Sequence, residues 1–210
     1  MSLYDDASLI AYPSGYKESK IYAQKPVNGT GDLSFTRASS ATRVNSEGLI
    51  ETASVLGSEE VANGDFNNTS WWSVGTYWTI GDGFATRSVV GSQANYSLSR
   101  ASLLTIGKSY EVVISIDSIA SGSVSVILGA TNGDLYTTSG TYTFRGICSS
   151  STTFKISPSG DFNGSVDNVS VKEVITSNIP RIDYSNGCGS LLLEPQSTNL
   201  ITYSEDFTNA

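Results

Sequence analysis

Tyr110-Glu111-Val112-Val113-Ile114-Ser115-Ile116 decides the fold. Tyr110, Val112, Ile114 and Ile116 take every second position, with Glu111 and Ser115 between them. That period of two lays the apolar side chains on one face of an extended strand and the polar ones on the other. Gly107-Lys108 is the turn that opens it. Downstream, Val124-Ser125-Val126-Ile127-Leu128 reads as the next strand, followed by strands at Tyr142 and Phe144, at Phe154 and Ile156, and at Val169 and Val171. Upstream, Phe84-Ala85-Thr86 follows a Gly81-Asp82-Gly83 hairpin turn, and Ala94, Tyr96 and Leu98 alternate with polar residues. Short strands separated by Gly, Ser, Asn and Asp turns describe an antiparallel β-sandwich. No segment of ten or more residues carries a helical stripe.

Composition agrees with an all-β chain: of 210 residues 39% are apolar and only 15% charged, with Gly, Ser, Thr, Asn and Tyr filling the difference. A net charge of −8 and the lack of any Lys/Arg cluster argue against nucleic-acid binding. No apolar run approaches the roughly 20 residues that span a bilayer, so no membrane insertion is expected. Met1-Ser2-Leu3-Tyr4-Asp5-Asp6 lacks the basic and apolar regions of a signal peptide, and the chain is expected in the cytoplasm until assembly or release. The sequence has no His, which removes Ser-His and Cys-His nucleophile pairs and imidazole metal sites. Asp117, Asp134 and Asp161 sit in turn-like contexts rather than as a paired acid and base, and no enzymatic activity is expected. Cys148 and Cys188 are read as unpaired thiols.

Two segments near the ends of the chain share another texture. Phe35-Thr36-Arg37-Ala38-Ser39-Ser40-Ala41-Thr42-Arg43-Val44-Asn45-Ser46-Glu47-Gly48-Leu49-Ile50-Glu51 is the first. The second is Ile179-Pro180-Arg181-Ile182-Asp183-Tyr184 with the stretch from Ser190 to Ser204. Both set Arg, Ser, Thr and Asn around a few apolar anchors. Arg37, Arg43, Arg181 and Asp183 are the candidate contacts between the two segments. A guanidinium beside Glu47, Glu51 or Asp183 would form a bidentate pair joining them, and an anion or glycan contact is the alternative use. Residues 1–34 hold short strands at Ala7–Tyr12 and at Ile21-Tyr22, with turns at Pro13-Ser14-Gly15 and from Pro26 to Asp32. They read either as an edge of the same domain or as an arm docking on another subunit.

Together the two segments resemble a module of structural proteins of tailed bacteriophages, including crAss-like phages of Bacteroidetes hosts, that build fibres and other virion appendages. In that family the Gly-Leu-Ile-Glu end runs almost directly into Pro-Arg-Ile-Asp-Tyr, whereas a long stretch intervenes here. The resemblance implies a smaller β-rich base domain, residues 1–58 plus 176–210, with a jelly-roll sandwich, residues 59–175, inserted in one of its loops. It also implies a protein of the virion, assembled in the host cytoplasm and located on head or tail. Its partners would be capsid or tail proteins and further copies of itself, a trimer being usual for phage fibres. Thr202 to Ala210 read like the start of a further module.

The inserted stretch resembles the galactose-binding-like jelly rolls, which include many carbohydrate-binding modules. The marks are Asn63-Gly64-Asp65-Phe66, Trp78-Thr79-Ile80 before Gly83, Gly107-Lys108-Ser109-Tyr110, and Asp167-Asn168-Val169-Ser170-Val171. Gly64-Asp65-Phe66-Asn67 recurs as Gly160-Asp161-Phe162-Asn163 with unlike flanks, one turn chemistry used twice. The resemblance implies outward display and a host surface glycan as a further partner; a free carbohydrate-binding module is the alternative. Trp71, Trp72 and Tyr77 are the candidate glycan or interface residues, because sugar rings stack on flat aromatic faces. Trp78 fits a core position of the family, and Trp71 and Trp72, as strand neighbours, point opposite ways. Asp167 shares the parity of Val169 and Val171 and is expected to face inward, where the family often holds a structural calcium. Asn67 stands where that site commonly has a carboxylate, and no other cofactor is implied.

Overall fold

The computed structural model describes residues 3–17, 19–37 and 40–192. The part of the second end segment from residue 193 onward, and the stretch from Thr202 to Ala210, lie outside the described residues. The chain divides into two compact units, Met1–Ala53 with Thr176–Ala210, and Ser54–Ile175.

The first unit opens on one helical turn, α1 (Leu3–Asp6), and a three-stranded antiparallel sheet of β1 (Ile10–Lys17), β2 (Lys20–Lys25) and β3 (Leu33–Ser34). A hairpin of β4 (Thr42–Val44) and β5 (Ile50–Thr52) follows. Its turn is written in the sequence. The Asn45 side chain accepts the N–H groups of Glu47 and Leu49 at 3.0 and 2.9 Å, and Gly48 supplies a φ of +82°.

The second unit is an antiparallel β-sandwich. Its strands are β6 (Val55–Glu59), β7 (Trp78–Gly81), β8 (Phe84–Arg87), β9 (Leu98–Arg100), β10 (Ser109–Ser121), β11 (Val124–Leu128), β12 (Thr131–Asn132), β13 (Gly140–Ile147), β14 (Phe154–Pro158) and β15 (Asn163–Ile175). One sheet runs β13-β10-β15-β8-β7 with β6 also paired to β15, and the other runs β12-β11-β14-β9. From β9 onward the chain passes back and forth between the sheets, the habit of a jelly roll. Tyr110, Val112, Ile114 and Ile116 of β10 are buried, as are Val124, Val126 and Leu128 of β11 and Phe154 and Ile156 of β14. With Phe66, Trp72, Trp78, Leu98, Phe162, Val166, Val169 and Val171 they form one core. Each buried aliphatic or aromatic side chain stabilises by about 1.5–3 kcal/mol, before conformational entropy is set against it.

Two expectations are corrected here. Residues 55–58, read with the base, belong to a strand that pairs instead with the end of β15, in the register Val55↔Ile175, Leu56↔Val174 and Glu59↔Lys172. The two ends of the sandwich therefore lie side by side, the condition for inserting one unit in a loop of another. Asp167 does not share a face with Val169. Ser115 pairs with Asp167 and Val113 with Ser170, so three steps along β15 match two along β10. This is a β-bulge with Asn168 at a φ of +49°. The extra residue switches the inward parity from Val166 to Val169 and Val171, leaving Asp167 half-buried and Asn168 exposed.

The chain returns to the first unit and ends its described part in a hairpin of β16 (Ile182–Asp183) and β17 (Ser190–Leu191). Hydrogen bonds to main-chain groups join the two halves of this unit. Asn178 N–H donates to the Arg37 carbonyl at 2.8 Å, and the Asn178 side-chain oxygen accepts Arg37 N–H at 2.9 Å. Arg37 Nη2 donates to the Ile179 carbonyl. Tyr184 N–H reaches the Val44 carbonyl at 3.0 Å, and Asp183 Oδ1 accepts Val44 N–H at 2.9 Å. Among its described residues the unit buries the apolar side chains of Ile21, Ala53, Ile179, Pro180 and Ile182, while Tyr4, Leu9, Tyr12, Tyr22, Val27, Leu33, Leu49 and Ile50 are exposed.

Candidate functional site

In the base, Arg43 Nε lies 2.9 Å from Glu51 Oε1, and this pair ties β4 to β5 within one segment rather than joining the two. Arg37 does cross between the segments, to the Ile179 carbonyl. Asp183 is held by N–H and hydroxyl donors. The Ser185 hydroxyl, the Val44 N–H and the Ser185 N–H, with a smaller contribution from nearby Arg181, keep its pKa below the usual carboxylate value. Hydrogen bonds to the backbone join the two segments at Arg37, Asn178 and Asp183.

In the sandwich, Trp72 is a core residue, 4% exposed. Its ring packs on Phe66 at 5.4 Å, and its indole N–H donates to the Asn63 carbonyl at 2.9 Å. The Asn63 amide in turn clasps the main chain of Asn68, at 2.9 Å to its N–H, so the Asn63–Asn67 turn is locked onto the core. Trp71 is half-buried. The Arg100 guanidinium lies 4.8 Å over its ring, and Arg100 Nη1 donates to the Trp71 carbonyl at 2.7 Å. One face of Trp71 is already covered, and its ring meets Trp72 edge-on at 4.7 Å. Trp72 thus offers no open platform.

Tyr77 does. It lies 42% exposed in the turn Gly75-Thr76-Tyr77-Trp78, closed by Trp78 N–H on the Gly75 carbonyl at 3.1 Å. Tyr77 takes a φ of +74°, the left-handed region that the third residue of a type II turn requires and that normally falls to Gly. Its ring lies 6.3 Å from that of Tyr96, which is 47% exposed. Its hydroxyl donates to Gln93 Oε1 at 2.9 Å, and Gln93 Nε2 donates to the Val90 carbonyl at 3.1 Å.

This surface is anchored from beneath. Trp78, 5% exposed, donates its indole N–H to the Tyr96 carbonyl at 2.7 Å. Arg87 is fully buried, and its guanidinium donates to the carbonyls of Phe162 at 2.8 Å, Ser159 at 3.0 Å and Ala94 at 3.1 Å. It also lies 5.9 Å from the centre of the Tyr77 ring. Burial lowers its pKa from the ordinary value, an effect offset in part by Tyr77 and Asp161. Gln93 N–H reaches the Gly160 carbonyl at 2.8 Å, and a Cβ at Gly160 would fall 2.5 Å from the Gln93 carbonyl oxygen.

Three of these residues escape sequence reading. Ala94, Tyr96 and Leu98 alternate as a strand would, yet β9 starts only at Leu98. Tyr96 N–H turns back to the Ala94 carbonyl at 2.9 Å, which frees the Tyr96 ring. Gln93 has no pattern of its own. Arg87 follows the apolar alternation of β8 inward, where an arginine is not expected; its one signal is that parity.

Asp167 accepts hydrogen bonds from Asn168 N–H and Nδ2 at 2.6 and 2.7 Å. Asn67 donates to Asp65 Oδ2 at 2.7 Å. Among the described residues no three or more His, Cys, Asp or Glu side chains are grouped to hold a metal ion. Asp117 and Asp161 are tied to Ser165 and Ser159 at 3.0 and 2.7 Å. Cys148 is buried and Cys188 exposed, both free. Among the described residues no helix is long and apolar enough to cross a membrane.

No protein-family model matches the chain, and no curated protein matches it. Among solved structures, it is similar to the enzymatically active domain of tailspike protein 4 of bacteriophage CBA120, with 16% identity and a TM-score of 0.39 over 55% of this chain. The match spans 21% of that tailspike chain. A CBM4 structure matches with 15% identity and a TM-score of 0.31, over 54% of this chain and 90% of that one. CBM35 from Paenibacillus barcinonensis matches with 13% identity and a TM-score of 0.33, over 64% of this chain and 98% of that one.

Proposed function

We propose that the chain is a structural component of a bacteriophage virion, a head or tail fibre or appendage that assembles through its base unit and displays the sandwich as a carbohydrate-binding-like domain. The observation that carries this reading is the apolar surface of the base. Among its described residues eight large apolar side chains stay exposed there against five apolar residues buried. So small a core seldom sustains a unit alone, and a large exposed apolar surface marks an interface. The resemblance of residues 35–51 and 179–184 to virion modules gives the partner its identity: further copies of this chain, a trimer favoured, docked on other virion proteins.

Light scattering on the full chain tests it. A stable assembly at a whole multiple of 22.2 kDa is expected, broken to smaller species by Leu49→Glu with Ile50→Glu, whose side chains are 60% and 79% exposed. A monomer at all concentrations overturns self-assembly and favours a free carbohydrate-binding module. A structural calcium at Asp167 would be read in the same samples, as a fall in melting temperature on chelation.

A further inference from the structure

From the geometry of the sandwich we infer a binding site for a neutral saccharide, formed by the exposed rings of Tyr77 and Tyr96 with the Gln93 amide between them. The inference rests on the displayed half of the reading above and not on self-association of the base.

The rings come first. Two tyrosines 6.3 Å apart and tilted by 50° form an angled apolar surface of the size of one or two pyranose units. The C–H faces of a sugar stack on such rings, while its equatorial hydroxyls need polar partners at the edge. Gln93 stands there. Its amide keeps a second N–H free of the bond to Val90, and the Tyr77 hydroxyl, which donates to Gln93, can still accept.

Tyr77 is held in a strained conformation. A non-glycine residue at a φ of +74° costs about 1 kcal/mol or more, and a glycine would close the same turn unstrained. Its hydroxyl bond to Gln93 and its packing against Tyr96 and Arg87 hold it there, and the residue remains 42% exposed.

Preorganisation is the third observation. Sugars bind weakly, and a surface that has to order itself on binding loses most of the gain. Here the loop is fixed before any ligand arrives. Trp78 holds the Tyr96 carbonyl, Arg87 holds those of Ala94, Ser159 and Phe162, and Gly160 pins Gln93.

Charge selects the ligand class. The flanking residues Thr76, Ser92, Asn95 and Ser97 are uncharged, the Arg87 guanidinium beneath the Tyr77 ring is buried and engaged by carbonyls, and the chain as a whole carries −8. Acidic glycans are repelled at long range, and neutral ones are not.

The test is saturation-transfer difference NMR on the full chain with cellohexaose, maltohexaose, mannohexaose and xylohexaose, and with sialyllactose as the acidic comparison. At least one neutral hexasaccharide is expected to give a signal. Tyr96→Ala, and Tyr77→Gly, which relieves the left-handed strain and so keeps the fold, each weaken binding about tenfold, some 1.4 kcal/mol. Trp71→Ala leaves it within about twofold. The site is overturned by any of three results: no signal with the four neutral probes, signal for sialyllactose alone, or binding that survives both tyrosine variants. A monomer in light scattering leaves the site standing. A silent saccharide panel on a stable assembly removes the site and leaves the assembly reading intact.

Discussion

Gly64 has room for no other residue. A Cβ there would lie 1.9 Å from the Val169 carbonyl oxygen, because Val169 N–H closes on the Gly64 carbonyl at 2.9 Å beside the bulge. Gly64→Ala should therefore cost about 3 kcal/mol of sandwich stability, read as a lower denaturation midpoint, with the slope unchanged. Asp183 makes a prediction about acid. Hydrogen bonds, first from the Ser185 hydroxyl and then from Val44 N–H, depress its folded pKa. A carboxylate depressed on folding stabilises above its unfolded value, near pH 4, and that contribution is lost as pH falls through the lower folded value. Protection of the Val44 amide against hydrogen exchange, relative to its intrinsic rate at each pH, should fall below about pH 4 in the parent chain. Asp183→Asn should flatten that dependence, and equal acid sensitivity in both chains would refute the assignment.

At the scale of elements, the strands were legible wherever parity ran unbroken. Tyr110 to Ile116 alternate over a long central strand paired on both sides, so every second residue is buried and the pattern survives in the sequence. Parity failed where the backbone inserts or turns. One extra residue at Asn168 reverses the faces of β15, and nothing in Asp167-Asn168-Val169 distinguishes a bulge from a continuous strand beyond an Asn able to take a positive φ. The turn at Ala94–Tyr96 releases an aromatic that alternation had placed in a strand. The candidate site was half readable for the same reason. Tyr77 stands out among the clustered aromatics, whereas Tyr96, Gln93 and Arg87 meet it only through loops whose paths are set by hydrogen bonds reaching as far as 75 residues along the chain, as from Arg87 to Phe162.

At the scale of the whole molecule, apolar burial is divided unequally. The sandwich holds one continuous core from Val61 to Val171, and Ser54–Ile175 is a unit by its own contacts. Expressed alone, residues 54–175 should fold and melt cooperatively, with dispersed amide resonances that overlay those of the same residues in the full chain. A collapsed spectrum would mean that the sandwich needs its base.

The pairing of β6 with the end of β15 has a mechanical consequence. Val55 and Ile175 are partners, so the chain leaves the sandwich at two adjacent points of one ladder. Tension that drew those points apart would act across the strands and break the hydrogen bonds one after another, as a zipper opens, instead of shearing them all at once. The sandwich is attached at its mechanically soft edge. Under a pull on the flanking segments β6 would peel first, and Val61, Phe66 and the rest of the buried cluster would stay closed behind it.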